Sequence, residues 1–145
     1  MQAGNISRIA TFMTGELFAM LSKHSILTPL ITEGGTRSDG AFCEGLDMAS
    51  STSDIAHKLF SLRAGVLTGV DKAETLADRL SGLLIGSELN AVAELGLLDQ
   101  SVTLIAEGAH AARYEKALSN AGVAVTKQSA EECCKHGLAE IFAQI

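Results

Sequence analysis

Glu107, Gly108 and Ala109 sit between an apolar run, Val102-Thr103-Leu104-Ile105-Ala106, and a stretch with helical spacing, Ala109 to Asn120. That order gathers free backbone N–H groups and the positive end of a helix dipole at one turn, a place where phosphate or nucleotide can bind. A packing crossover with no ligand fits the same residues. Gly82 and Gly86 form a second candidate, four apart in an apolar helical pattern. Each glycine costs about 1 kcal/mol there relative to alanine. Either another backbone comes close or a flat ligand needs the room. Glu88, a rare charge on this segment, could then face a cavity. His24 lies on an apolar stripe and reads as a satisfied core histidine before it reads as a ligand. Cys133, Cys134 and His136 lie too close along one helix to make a normal zinc set, so helix packing is the preferred reading and no metal site is expected.

These residues need elements to hold them. Val102–Ala106 is too short and apolar for a surface helix and reads as a strand buried on both faces of a sheet. The following helix has Ala112, Tyr114 and Leu118 available for packing, and Gly122 closes it at the position after the last helical turn. Val123-Ala124-Val125 begins a further strand, running on to Thr126. A strand–helix–strand unit of this kind joins parallel strands, so the expected class is α/β. Upstream, Ile6 to Met13 reads as a strand with no earlier strand to pair with. Thr14 caps a helix carrying Leu17, Met20, Leu21 and His24, and Glu16 suits its dipole. Leu27 to Gly40 holds the only proline, Pro29, with Gly34-Gly35, and is expected to be a mobile loop. Ala41–Leu46 can form a short helix. Ser53 caps the next, on which Ile55, Leu59, Leu62 and Val66 share a face. Ala73 to Leu95 is the longest helical pattern, apolar nearly all round from Leu80 to Ala93 and therefore central. Ser129-Ala130-Glu131-Glu132 is a capping box opening the final helix.

Composition fits one domain able to bury a core: 145 residues, 47% hydrophobic and 19% charged. The apolar share suggests a face covered by a partner or another domain. A net charge of −6, no basic cluster and few aromatic residues argue against nucleic acid. No run approaches the roughly 18 apolar residues of a membrane helix. Three cysteines, two of them adjacent, make no disulfide framework, and a reducing cytoplasm is the expected compartment. There is no Walker-type loop, no nucleophile elbow and no H-E-x-x-H.

Several segments carry the reading further. Thr11-Phe12-Met13-Thr14-Gly15-Glu16-Leu17, His24-Ser25-Ile26-Leu27, Ala41-Phe42-Cys43-Glu44-Gly45-Leu46, Leu59-Phe60-Ser61-Leu62-Arg63 and Leu80-Ser81-Gly82-Leu83-Leu84-Ile85-Gly86-Ser87-Glu88 occur in this order. With Arg113-Tyr114 and Gly137-Leu138, they resemble the second half of the 2-dehydro-3-deoxygalactonokinase family over nearly the whole chain. The T-G-E-L…H-S-I-L and L-S-G-L-L-I-G-x-E segments are the specific ones.

The resemblance implies a ribonuclease-H-like lobe of the sugar kinase and actin-like ATPase superfamily. It implies transfer of the ATP γ-phosphate, with Mg²⁺, to the 6-hydroxyl of 2-dehydro-3-deoxygalactonate in galactonate breakdown. Leu104 to Ala109 stands at the superfamily's adenosine motif, with Glu107 where the first of two glycines is expected. The nucleotide side then comprises Glu107, Gly108, Ala109, Gly82, Gly86 and Glu88, and the sugar side Thr14, Gly15 and Glu16, with no catalytic residue and no metal ligand assigned in this chain. The first lobe, which should supply the general base and the first phosphate loop, is expected to be missing. The second phosphate motif, a G-T-H-x-K-like segment, should fall just before Ile6, and it too is expected to be missing from this chain. The isolated chain should therefore be inactive and should associate with the missing lobe or with itself through an apolar face. The rival reading is a non-catalytic α/β module that binds nucleotide or a partner. A small hydrolase is disfavoured because no nucleophile has a base in context.

Overall fold

The computed structural model describes residues 6, 8–32, 34, 37–51, 54–99 and 101–143. The chain parts into two compact units, residues 1–92 and 93–145.

The first unit is helical. Helix α1 spans Thr14–His24, α2 Asp39–Ala49, α3 Ile55–Leu67 and α4 Leu76–Glu94, with single 3₁₀ turns at Thr28–Leu30 and Ala73–Thr75. Its core is Leu27, Ala49, Leu62, Leu76, Leu80, Leu83 and Leu84, with Phe18, Leu21, Leu59 and Val66 packed on it. Burying each leucine is worth about 1.5–3 kcal/mol, so this cluster accounts for why α4 is central. Burial along α4 runs from Leu76 to Leu89. Ala91 to Ala93, expected inside, are not buried, because the apolar residues there no longer face the cluster.

Helix α2 is fixed at both ends by charge that suits its dipole. At its start, Ser38 accepts from Ala41 N–H. The Ser38 N–H in turn donates to the buried Asp78 at 2.7 Å. At its end, the Nζ of buried Lys58 donates to the Ala49 carbonyl at 3.0 Å and the Ser51 carbonyl at 2.8 Å. Asn90 Nδ2 also reaches the Ala49 carbonyl, at 3.1 Å. An acid at the N-terminus and a cation at the C-terminus each stabilise a helix by a few tenths to about 1 kcal/mol, more where partly buried. Asp78 and Lys58 thus have partners that explain their burial.

Between α2 and α4 the backbones nearly touch. A Cβ added at Gly82 would lie 3.0 Å from both Gly45 Cα and Leu46 N, and closer still to the Phe42 carbonyl. One added at Gly45 would meet Leu83 N at 2.8 Å and Gly82 Cα at 2.9 Å. One at Gly86 would press on the Ala49 methyl at 2.6 Å. Close backbone approach therefore explains both α4 glycines.

The second unit contains the α/β element. Strand β1 (Ser101–Ile105), helix α5 (Gly108–Asn120), strand β2 (Ala124–Gln128) and helix α6 (Ala130–Phe142) follow in order. The strands pair parallel, Ser101 opposite Ala124 through Ile105 opposite Gln128. Gly122, at φ 76°, ends α5. Its N–H donates to the Ser119 carbonyl at 3.0 Å and that of Val123 to Leu118 at 3.0 Å, the paired bonds of a Schellman closure. Ser129 caps α6 by accepting from Glu132 N–H at 3.5 Å.

Several expectations need correction. Ile6 and residues 8–13 form no strand, since no strand partner for them stands among the described residues. Strand β1 is not buried on both faces but alternates exposed and half-buried, because the sheet has only two strands. On α5 the buried positions are Ala111, Ala117 and Leu118, whereas Ala112 is exposed. Thr14 is the first helical residue of α1, not its cap; Met13 holds that position with no side-chain bond. His24 is exposed at the end of α1, and Leu17 and Met20 stay 41% and 49% exposed, so the packed edge of α1 is Phe18 and Leu21. Helix α2 begins earlier and runs longer than Ala41–Leu46, because Ser38 and Asp78 supply its start. Helix α3 is capped by Asp54, which accepts from Ala56 N–H at 2.8 Å; Ser53 lies outside the described residues. Gly35, in the segment read as a mobile loop, lies outside them too, while Leu27 in the same segment is 2% exposed.

Candidate functional site

The turn after β1 is where backbone chemistry concentrates. Glu107 is extended (φ −130°, ψ 161°) and is the N-cap of α5, with no side-chain cap bond. Gly108 then turns at φ 62°, a left-handed conformation that side chains rarely adopt. The first intrahelical bond is Ala111 N–H to the Glu107 carbonyl at 3.4 Å. The N–H groups ahead of it have no partner within the helix. Glu107, Gly108, Ala109 and His110 are all exposed, so those donors face solvent.

The parallel register adds a second feature. Because Ile105 stands opposite Gln128, the residues just past each strand end at the same edge of the sheet. Ser129 Oγ donates to Glu107 Oε1 at 3.3 Å. Two helix N-termini, α5 and α6, thus begin at the carboxyl ends of parallel strands, the usual ligand edge of open α/β sheets. Glu107 brings a carboxylate acceptor to this edge. Sequence reasoning identified Ser129 only as a helix cap; the signal for its second contact was the expected parallel pairing of the two strands. On α6 Cys133 Sγ lies 3.3 Å from Gln128 Oε1 and Cys134 is exposed.

The other expected site residues lie in the first unit. Gly82 and Gly86 are buried against α2, and Glu88 is half-buried on α4. Thr14 is half-buried and Gly15 and Glu16 are exposed in the first turn of α1. The structure brings Glu107, Gly108 and Ala109 together with Ser129, and it separates Gly82 and Gly86 from solvent.

One charged cluster in this unit was not foreseen. Arg79 Nη1 pairs with Asp71 and Nη2 with Glu44. Burial would push the Arg79 guanidinium down, but the hydrogen bonds and charges of Asp71 and then Glu44 outweigh it, holding Arg79 above its ordinary value. Its fork ties α2 and the segment after α3 to α4. Among the described residues no group of three or more His, Cys, Asp or Glu side chains is placed to hold a metal ion. No described helix is long and apolar enough to cross a membrane.

The family model for 2-keto-3-deoxy-galactonokinase matches residues 1–141. The chain belongs to this family. It is 32% identical over 136 residues to the 2-dehydro-3-deoxygalactonokinase of Escherichia coli (strain K12), covering 94% of this chain and 46% of that protein. It is 35% identical over 137 residues to a probable 2-dehydro-3-deoxygalactonokinase of Rhizobium meliloti (strain 1021), covering 92% and 44%. The crystal structure of a Sinorhizobium meliloti protein assigned as a 2-dehydro-3-deoxygalactonokinase superposes with a TM-score of 0.81 at 32% identity, over 94% of this chain and 45% of that one. This family member therefore spans less than half the length of the relatives it matches, and the match falls in their carboxyl-terminal portion. In fold it is a mixed α/β chain with a small parallel sheet and flanking helices.

Proposed function

We propose that this chain is the carboxyl-terminal part of a carbohydrate kinase that transfers the γ-phosphate of ATP to the 6-hydroxyl of 2-dehydro-3-deoxygalactonate. On this reading the parallel β1–α5–β2 unit belongs to a ribonuclease-H-like lobe, and the turn Glu107–Ala109 lies on the nucleotide side. The observation that carries it is the family match over residues 1–141 together with a left-handed glycine, Gly108, at a strand end opening a helix. Exposed N–H groups of Gly108, Ala109 and His110 fit the polar groups of a nucleotide. Glu107, tethered to Ser129, sets a negative charge beside that ligand, which opposes its phosphates. ATP would supply the transferred phosphoryl group and Mg²⁺ would offset charge on the phosphates.

Gly82 and Gly86 enter this reading differently. Their faces are filled by α2, so their part is to let α4 pack tightly. Thr14, Gly15 and Glu16 are assigned to the sugar side at the exposed start of α1. The general base and the remaining phosphate contacts are assigned to the portion of the relatives that precedes this match. Phosphoryl transfer depends mainly on positioning and electrostatic stabilisation. With part of that apparatus elsewhere, this chain alone should bind nucleotide weakly and turn over nothing measurable.

Titration calorimetry with ADP, with and without Mg²⁺, tests the nucleotide side. A coupled kinase assay tests the chemistry, on this chain alone and after addition of the amino-terminal portion of the E. coli relative. Absence of ADP binding at millimolar concentration would refute the nucleotide assignment. Robust turnover by the chain alone would refute the division of labour.

A further inference from the structure

Helix α3 carries His57, Lys58 and Arg63 and no acidic residue, in a chain whose net charge is −6. Lys58 is engaged by the carbonyls that end α2. Arg63 has no such partner, and it differs in this from Arg37 and Arg79. Arg79 holds the carboxylates of Asp71 and Glu44, and Arg37 lies 3.9 Å from Asp39. Among the described residues the Arg63 side chain makes no hydrogen bond and no ion pair; its guanidinium carbon stands 6.0 Å from the centre of the Phe60 ring. Its Nε is buried without a partner. A buried donor left in that state is costly, and a bound ligand or ion is one explanation for it. The two terminal nitrogens are not sealed off in the same way, so an anion can reach them from solvent. Phe60 and Leu67, one turn before and one after Arg63 on the same side of α3, are 57% and 60% exposed. An anion seated among them would be partly shielded from water, which strengthens its attraction to the guanidinium.

The fork of an arginine matches the planar geometry of a carboxylate. The substrate proposed above carries one. Its carboxylate and the 6-hydroxyl that accepts the phosphoryl group lie at opposite ends of its carbon chain. The cation that holds the carboxylate is therefore a different group from those that handle phosphate. Arg63 belongs to the helical unit, as do Thr14, Gly15 and Glu16 on the sugar side, whereas the nucleotide turn Glu107–Ala109 belongs to the other.

We infer that Arg63 binds the carboxylate of the sugar acid and thereby selects an acid over the corresponding neutral sugar, with the Phe60 ring supporting the guanidinium from one side. Arg63 moves no proton and touches no transferring phosphate; it is a specificity-determining residue. The inference rests on the reading of this chain as part of a sugar-acid kinase, and the two can fail separately. Phosphorylation of the sugar acid with no carboxylate at Arg63 would sink the inference and leave the kinase reading standing. A carboxylate at Arg63 with no phosphorylation would do the reverse.

Nuclear magnetic resonance of the arginine Nε–H groups decides it on this chain alone. The Arg63 signal is the one missing from Arg63→Gln, a variant that loses no hydrogen bond or ion pair and should keep its urea midpoint. Titration with 2-dehydro-3-deoxygalactonate, and with galactonate, should move the Arg63 signal and leave that of Arg79, already held by two acids, in place. Galactose, which lacks the carboxylate, should move neither. Half-saturation by the sugar acid should come at a concentration at least about tenfold below that of acetate, and Arg63→Lys should weaken it by about tenfold, the loss of one charge-assisted hydrogen bond. A still Arg63 signal at high millimolar sugar acid overturns the inference. So does an equal response to acetate, which would make Arg63 a general anion site, and so does an equal response to galactose. In the mixture with the amino-terminal portion of the E. coli relative, Arg63→Gln should raise the KM for the sugar acid by about tenfold or more and leave the KM for ATP in place; a rise in both overturns the assignment to the carboxylate.

Discussion

Replacing Gly82 by alanine tests whether α4 owes its place to backbone contact with α2. In an open helix the change would stabilise by about 1 kcal/mol through propensity alone. Here the new methyl would sit 3.0 Å from Gly45 Cα and Leu46 N, with the Phe42 carbonyl nearer still. Favourable carbon contacts lie at about 3.5–4.0 Å, and these neighbours are backbone atoms that cannot turn aside as a side chain does. The helices must separate by several tenths of an ångström or more. Overpacking of this kind costs about 1–3 kcal/mol. Separation also strains the bonds that fix α2, from Asp78 to Ser38 and from Lys58 and Asn90 to Ala49. Losing one or two of those adds about 1 kcal/mol each. After the propensity gain is subtracted, a net loss of about 2–3 kcal/mol remains. With a urea dependence of about 1–3 kcal/mol per molar, the midpoint should fall by about 1–2 M. Gly15→Ala, in the same unit with nothing within 4 Å of the added carbon, is the control and should raise the midpoint slightly. Urea unfolding followed by circular dichroism reads both. If Gly82→Ala matches Gly15→Ala in raising the midpoint, the tight crossing is refuted and room for a ligand beside α4 becomes the better account.

Three further outcomes follow from particular contacts. Lys58→Met should lower stability by about 1–3 kcal/mol in the same assay, because the Ser51 carbonyl loses its bond and Ala49 keeps only Asn90; an unchanged midpoint would remove Lys58 as the anchor of α2. Arg79→Lys should lower the midpoint because an ammonium cannot hold Asp71 and Glu44 with two separate nitrogens. Since Arg79 is held above its ordinary value, its contribution is fully present below that value and is lost only as pH rises through the raised one; unfolding between pH 6 and 9 should show no loss traceable to Arg79, and a difference between wild type and variant that shrinks across that range would refute the assignment. Glu107→Gly should tighten ADP binding several-fold by removing a negative charge beside the phosphate-bearing ligand, and an unchanged affinity in calorimetry would move the nucleotide away from this turn.

Local order was legible in the chain itself wherever short-range chemistry decides. Gly122, Ser129 and the Val102–Ala106 run fixed the ends of α5, the start of α6 and the position of β1 to within a residue, because caps, left-handed closures and strand formers act over a few positions. The parallel pairing of β1 and β2 followed from a crossover too long for a hairpin. The turn Glu107–Ala109 was visible for the same reason. Tertiary structure decided what depends on partners distant in sequence. Ser38 opens α2 with help from Asp78, 40 positions away, and Lys58 and Asn90 close it. No local pattern encodes those bonds. Gly82 and Gly86 were compatible with a ligand or a neighbouring helix, and only the approach of Gly45, Leu46 and Ala49 chose between them. Ile6 and residues 8–13 have the residue types of a strand yet form none among the described residues, since a strand is completed by its neighbour's hydrogen bonds and the propensity of one segment cannot supply them.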